Sequence, residues 1–101
     1  MKTYTNKLNY PYNVLLMVYG DRVEGELTNA EQLTELIEKL IEPLPSELKR
    51  VFMLYAKEGK SYEEIAKDEE LSIDIIKDRI ALVLRHLRHP NQSKQLKKFF
   101  L

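Results

Sequence analysis

The chain has 101 residues, of which 44% are hydrophobic and 32% are charged. This length suits one compact domain, and this balance is typical of a folded globular protein rather than of a disordered chain. With no cysteine and two histidines, the composition excludes disulfides, thiolate metal sites and a plausible zinc site. The longest apolar run, residues 14–19, is too short to span a bilayer, so we expect a cytoplasmic protein without a cofactor or a membrane partner.

The formal net charge is zero, but the charges are distributed unevenly along the chain. Residues 1–42 hold four Lys and Arg against seven Asp and Glu, whereas residues 77–101 hold seven against one. A basic C-terminal region of this kind attracts phosphate groups. A solvated helix surface is the alternative explanation, and charge alone does not separate the two.

The N-terminal segment predicts a β-hairpin. Residues 12–19 are rich in strand formers, and Gly20-Asp21 suit the centre of a type II′ turn before a second strand at residues 22–27. A short helix over residues 12–19 is the competing interpretation. Because both faces of the first strand are apolar, the hairpin needs to pack on helices or to pair with another chain. We therefore divide the chain into an N-terminal hairpin appendage, residues 1–27, and a helical domain, residues 28–101.

Apolar residues at helical spacing predict four helices and a final short amphipathic segment. Each helix lies between a residue that favours a helix start and one that favours a helix end. In chain order these pairs are Thr28 and Pro43, Ser46 and Gly59, Ser61 and Glu70, and Ser72 and Pro90. Side chains expected in one shared core are Leu48, Phe52, Ile65, Ile76, Leu84 and Leu87, and the core-facing stripe of the last long helix begins at Ile73. The expected fold is mainly α, a helix-turn-helix bundle of four to five helices with an N-terminal β-hairpin.

The helix-turn-helix interpretation depends on the last two of these helices. A short helix with a capping box at Ser61 and Glu64 is joined by a tight connection containing Leu71 to a longer helix capped by Ser72. In a helix-turn-helix the second helix lies in the DNA major groove.

Three strings of sequence carry a more specific resemblance. They are Ser61-Tyr-Glu-Glu-Ile-Ala66, Leu71-Ser72, and Leu84-Arg-His-Leu-Arg-His-Pro-Asn-Gln-Ser-Lys94 followed by Leu96 and Phe99. Together they resemble region 4 of bacterial RNA polymerase primary sigma factors, over about residues 44–101. Regions 1 to 3 of a sigma factor have no counterpart in this sequence, so we do not expect a complete sigma factor.

The resemblance implies a bacterial or phage transcription regulator that acts at promoters with RNA polymerase. Its earlier helices would bind the flap of the polymerase β subunit, and its last long helix would bind promoter DNA. Ser61 and Tyr62 match a phosphate-contacting helix start, and Arg85 and Arg88 match basic positions that face the DNA backbone or an activator. The expected DNA-binding residues are Ser61, Tyr62, Ser72, Asp74, Lys77, Arg85 and Arg88.

The base-reading positions depart from the family pattern. Where the family has Arg, Glu, Arg, Arg and Gln, this sequence has Ile73, Asp74, Ile75, Lys77 and Asp78. Lys77 alone keeps a donor there, Asp74 could accept from cytosine, and Asp78 would repel phosphate.

Two aliphatic residues of the same helix, Ile75 and Leu82, lie away from its core stripe, and an apolar surface there indicates a protein partner. The alternative function is therefore a protein-interaction module that binds RNA polymerase, a sigma-related protein or a second copy of itself, with little DNA affinity. The third helix carries two acidic groups, Glu63-Glu64 and Asp68-Glu69-Glu70. No nucleophile or pocket pattern accompanies them in the sequence, so we expect no enzyme. We interpret His86 and His89 as surface or capping residues.

Overall fold

The computed structural model describes residues 9–20 and 29–99. Over these residues the chain forms six α-helices and no strand. The helices are α1 (Tyr12–Tyr19), α2 (Ala30–Ile41), α3 (Ser46–Ala56), α4 (Tyr62–Glu69), α5 (Ile73–Arg88) and α6 (Pro90–Leu96), and a 3₁₀ helix (Lys97–Phe99) follows. None of the helices in these two ranges has the length and hydropathy that a membrane span requires.

The predicted N-terminal β-hairpin is wrong, although the mainly α class fits. Residues 12–19, the expected first strand, form α1, and the expected second strand lies outside the described residues. Gly20, with φ of 63°, ends the helix in a conformation that glycine adopts readily. The helical form gathers four side chains in the core, and their burial outweighs the strand preference of valine and tyrosine. These buried residues are Val14, Leu15, Val18 and Tyr19.

Helix α5 lies at the centre of the bundle and packs against α1, α2, α3, α4 and α6. One stripe of α5 is buried, formed by Ile76, Ile80, Val83 and Leu87. Of the expected core residues, Phe52, Ile65, Ile76 and Leu87 are fully buried, while Leu48 and Leu84 are half-buried against the same core. Ile73 is 37% exposed, so its placement in the core was wrong. It is the first residue of α5 and lies at the edge of the stripe.

Polar contacts also fix α1 to the rest of the domain. The Asn13 Nδ2 atom donates to the carbonyl oxygen of Ala56, near the end of α3, at 2.9 Å. The Tyr19 hydroxyl lies 2.7 Å from the carbonyl oxygen and 2.6 Å from the Oγ atom of Ser93, on α6. Helix α1 thus belongs to the same packed core as α5. The division of the chain at residue 27 stays a prediction that truncation can test.

Candidate nucleic-acid interface

Helices α4 and α5 and the three residues between them form a helix-turn-helix whose ends are defined by local hydrogen bonds. At the start of α4, the Glu64 N–H donates to Ser61 Oγ at 3.1 Å and the Ser61 N–H donates to Glu64 Oε1 at 2.9 Å. The predicted capping box is therefore confirmed. At the start of α5, the Ile75 N–H donates to Ser72 Oγ at 3.2 Å. Glu70 turns the chain between the helices with φ of 57°.

Tyr62, at the start of α4, contacts both the end of α3 and the first turns of α5. The ring of Tyr62 stacks on that of Tyr55, with centroids 5.0 Å apart and planes at 10°. The hydrogen bond between the two hydroxyls raises the pKa of Tyr55 to about 12, with burial as the second cause. The Lys77 Nζ atom lies 5.6 Å from the centroid of the Tyr62 ring. Tyr62 and Lys77, predicted from separate parts of the sequence, are thus brought together.

The outward side of α5 has mixed chemical character. Ser72, Asp74, Lys77 and Asp78 are all exposed, and Ser72 Oγ is already engaged as the helix cap. Among them only Lys77 presents a charged donor. Asp74 and Asp78 disfavour a phosphate group near this surface, since like charges repel.

Three large aliphatic side chains are exposed on α5: Ile73, described above, and the two that the sequence placed away from the core stripe. Ile75 is 39% exposed and Leu82 is 47% exposed. Leu82 lines a shallow groove of about 310 Å³ together with Asp78, Ala81 and Arg85. The Arg85 side chain is therefore on the exposed surface, beside an apolar wall. A partner role for Ile75 and Leu82 stays a prediction.

Arg88 makes contacts that the sequence did not indicate. Its Nη2 atom donates to the Met17 carbonyl oxygen at 2.8 Å, and its Nε atom donates to the Val18 carbonyl oxygen at 3.2 Å. These carbonyls lie in the last turn of α1, where helix carbonyls have no partner within the helix and a cation is favoured. Arg88 thus joins the C-terminal ends of α1 and α5. A strand was the preferred prediction for residues 12–19 and a helix only the alternative, so this contact with the end of α1 could not be anticipated.

The two histidines also act at helix ends. The His89 Nδ1 atom accepts from the Asn91 N–H at 3.3 Å at the start of α6, so its capping interpretation is confirmed. The His86 Nε2 atom lies 2.8 Å from the Leu40 carbonyl oxygen, near the end of α2. Within the described residues, no group of three or more His, Cys, Asp and Glu side chains is placed to hold a metal ion.

A basic surface near the C-terminal end of α1 was not predicted from the sequence as a site. It is an open cavity of about 430 Å³ between the end of α1 and α6, and Lys94 and Lys97 contribute its ammonium groups beside Arg88. The sequence showed the local excess of cations but not their position beside α1.

The geometry of α4 and α5 defines the class of this protein as a helix-turn-helix protein. A family model for sigma-70, region 4 matches residues 34–87, from within α2 to near the end of α5. The chain therefore belongs to the sigma-70 region 4 family, as its sequence indicated. The family is a regulatory module of transcription whose members bind promoter DNA and RNA polymerase. Comparisons with curated proteins and with solved structures gave no match.

Proposed function

We propose that this protein is a cytoplasmic transcription regulator that binds promoter DNA together with RNA polymerase through α4 and α5. The observation that carries the proposal is the capped helix-turn-helix within the matched region, whose second helix has an exposed side. Of the residues expected to bind DNA, Lys77 and Arg85 have exposed cationic side chains on α5. Ser61 caps α4 and Tyr62 is its first residue, and the N–H groups that the capping box leaves unpaired at this helix start favour a phosphate.

The contacts favour DNA binding that depends mainly on the backbone. Lys77 and Arg85 can each neutralise a phosphate, whereas Ile73 and Ile75 offer no hydrogen bonds to base edges. Asp74 can accept from a cytosine amino group, which gives limited sequence discrimination. Arg88 is already bonded to α1, so it is a poor choice as a reporter of DNA binding.

Fluorescence anisotropy with a labelled DNA duplex over a salt series tests this function. Each phosphate contact adds about −0.9 to the slope of log affinity against log salt concentration. Lys77→Ala and Arg85→Ala should therefore each weaken binding and reduce the slope by about one contact. Lys39→Ala, at an exposed cation on α2, is the matched control and should leave both unchanged. A wild-type affinity that does not vary with salt would contradict DNA binding.

A second candidate function is a module that binds RNA polymerase or a sigma-related protein with little DNA affinity. The exposure of Ile75 and Leu82 and the acidic pair Asp74 and Asp78 on the same helix favour it. Full burial of an exposed aliphatic side chain contributes on the order of 1.5–3 kcal/mol, and a protein partner would recover the part of it that corresponds to the exposed fractions of Ile75 and Leu82.

Binding of purified core RNA polymerase to the immobilised chain separates the two candidates. The variant carrying Ile75→Glu and Leu82→Glu should stay folded, because neither side chain is in the core. Loss of polymerase binding in this variant, with wild-type DNA affinity too weak to measure, would favour the second candidate. Unchanged polymerase binding would remove these two residues from the interface.

A further inference from the structure

The outward side of α5 has acidic and basic groups at opposite ends. Asp74, Asp78 and Arg85 lie within about 40° of one another on the helical wheel, with the carboxylates toward the N-terminal end of the helix. All three side chains are exposed, as are Ala81 and Leu82 between them. The groove lined by Asp78, Ala81, Leu82 and Arg85 lies at the middle of this surface.

The four groove residues are arranged symmetrically about one point of the helix, between Ala81 and Leu82. Asp78 and Arg85 are equally distant from that point in opposite directions, and so are Asp74 and His89. A twofold axis at this point, perpendicular to α5, would generate an antiparallel copy of the helix. In that arrangement each Asp78 faces Arg85 of the other copy, and Asp74 comes near His89 of the other copy.

The apolar residues fit the same arrangement. The Leu82 side chains of the two copies meet beside the axis. Each is 47% exposed in the single chain, and the other copy would cover that exposed part. On the other side of the axis, the small Ala81 side chains let the two helix backbones approach. The macrodipoles of antiparallel helices also attract each other.

We infer that the protein self-associates through α5, and that a second copy of this chain occupies the groove. The interface is isologous, because one surface patch is used twice. The 16 residues of α5 span about 24 Å, so the contact is smaller than a standard interface and the dimer is expected to be weak, with a dissociation constant in the micromolar range. If α5 also binds DNA as proposed above, the dimer covers Arg85 and DNA competes with self-association.

Sedimentation velocity of the full chain without DNA, from about 1 to about 500 µM, tests the inference independently of its DNA function. Asp78→Arg places Arg against Arg across the axis, and Arg85→Asp places Asp against Asp. Each variant alone should raise the dimer dissociation constant about tenfold or more, since like charges at an interface suppress association. An equimolar mixture of the two variants restores both opposite-charge pairs and should form heterodimers.

Glu63→Arg, at an exposed residue of α4, makes the same change in net charge as Asp78→Arg and should dimerise like the wild type. Because the chain has no cysteine, Leu82→Cys gives a second measurement, and a mild oxidant should form an intermolecular disulfide in it but not in Gln32→Cys, on α2. A wild type that is monomeric over the whole range would overturn the inference. So would a dimer unaffected by both reversals, or a mixture that does not recover the dimer.

Discussion

The contact between Arg88 and α1 leads to a prediction that separates stability from DNA binding. Arg88→Ala removes two charge-assisted hydrogen bonds to carbonyl oxygens of Met17 and Val18. Bonds of this kind contribute about 1.5–3 kcal/mol each, but the bond to Met17 is exposed to solvent and contributes less. We therefore expect the free energy of unfolding to fall by about 2 kcal/mol, which lowers the unfolding midpoint by roughly 8–15 °C in a domain of this size.

Thermal unfolding followed by circular dichroism measures the effect. Arg85→Ala is the matched control on the same helix, and as an exposed residue it should change the free energy of unfolding by less than about 0.5 kcal/mol. Arg88→Lys keeps the charge near the end of α1 but loses the two-pronged donor, so it should give an intermediate loss. If Arg88→Ala unfolds at the wild-type temperature while binding DNA tenfold more weakly, Arg88 contacts DNA and the argument from α1 is refuted.

Three further predictions concern the core and the tyrosines. Leu15→Ala, at a fully buried residue of α1, should cost about 2–5 kcal/mol in chemical denaturation, and a cost below about 1 kcal/mol would place α1 outside the core. Removal of residues 1–27 deletes the same contacts, so we expect a lower unfolding midpoint; an unchanged midpoint would support the separate appendage. Burial raises the pKa of Tyr10, and the hydrogen bond with Tyr62 raises that of Tyr55, each to about 12 from 10.0, so both should stay protonated in the folded chain at pH 11, as tyrosinate absorbance can show. Because the unfolded chain loses these protons first, the contribution of the two tyrosines to stability is fully present below about pH 10 and is lost between about pH 10 and 12; the unfolding midpoint should fall over that range, and Tyr55→Phe should reduce that fall.

Features encoded by neighbouring residues could be predicted from the sequence. The capping box of α4 requires only Ser61 and Glu64, three positions apart, and the cap of α5 requires only Ser72. The exposure of Ile75 and Leu82 followed from their position on the helical wheel, since the stripe opposite them is continuous and apolar. The family could also be identified, because its characteristic residues are close together in the sequence.

Features that depend on distant partners could not be predicted. Residues 12–19 have local preferences that favour a strand, and packing against α5 together with hydrogen bonds to α3 and α6 makes a helix the better form. The position of Arg88 depends in turn on that helix, so a residue assigned to DNA by resemblance was found bonded to α1. At Ile73 the error was smaller, because the wheel alone does not show where the covering helices end.

The hydrogen bond between Tyr19 and Ser93 joins residues separated by 74 positions. During synthesis α1 is made before the residues that it binds at the end of α5 and on α6. Its apolar side chains therefore have no native partner on those helices while most of the domain is being translated. Residues 12–19 can therefore complete the core only after residue 88 has been made, and a nascent chain stalled before that point exposes an apolar segment that chaperones can bind.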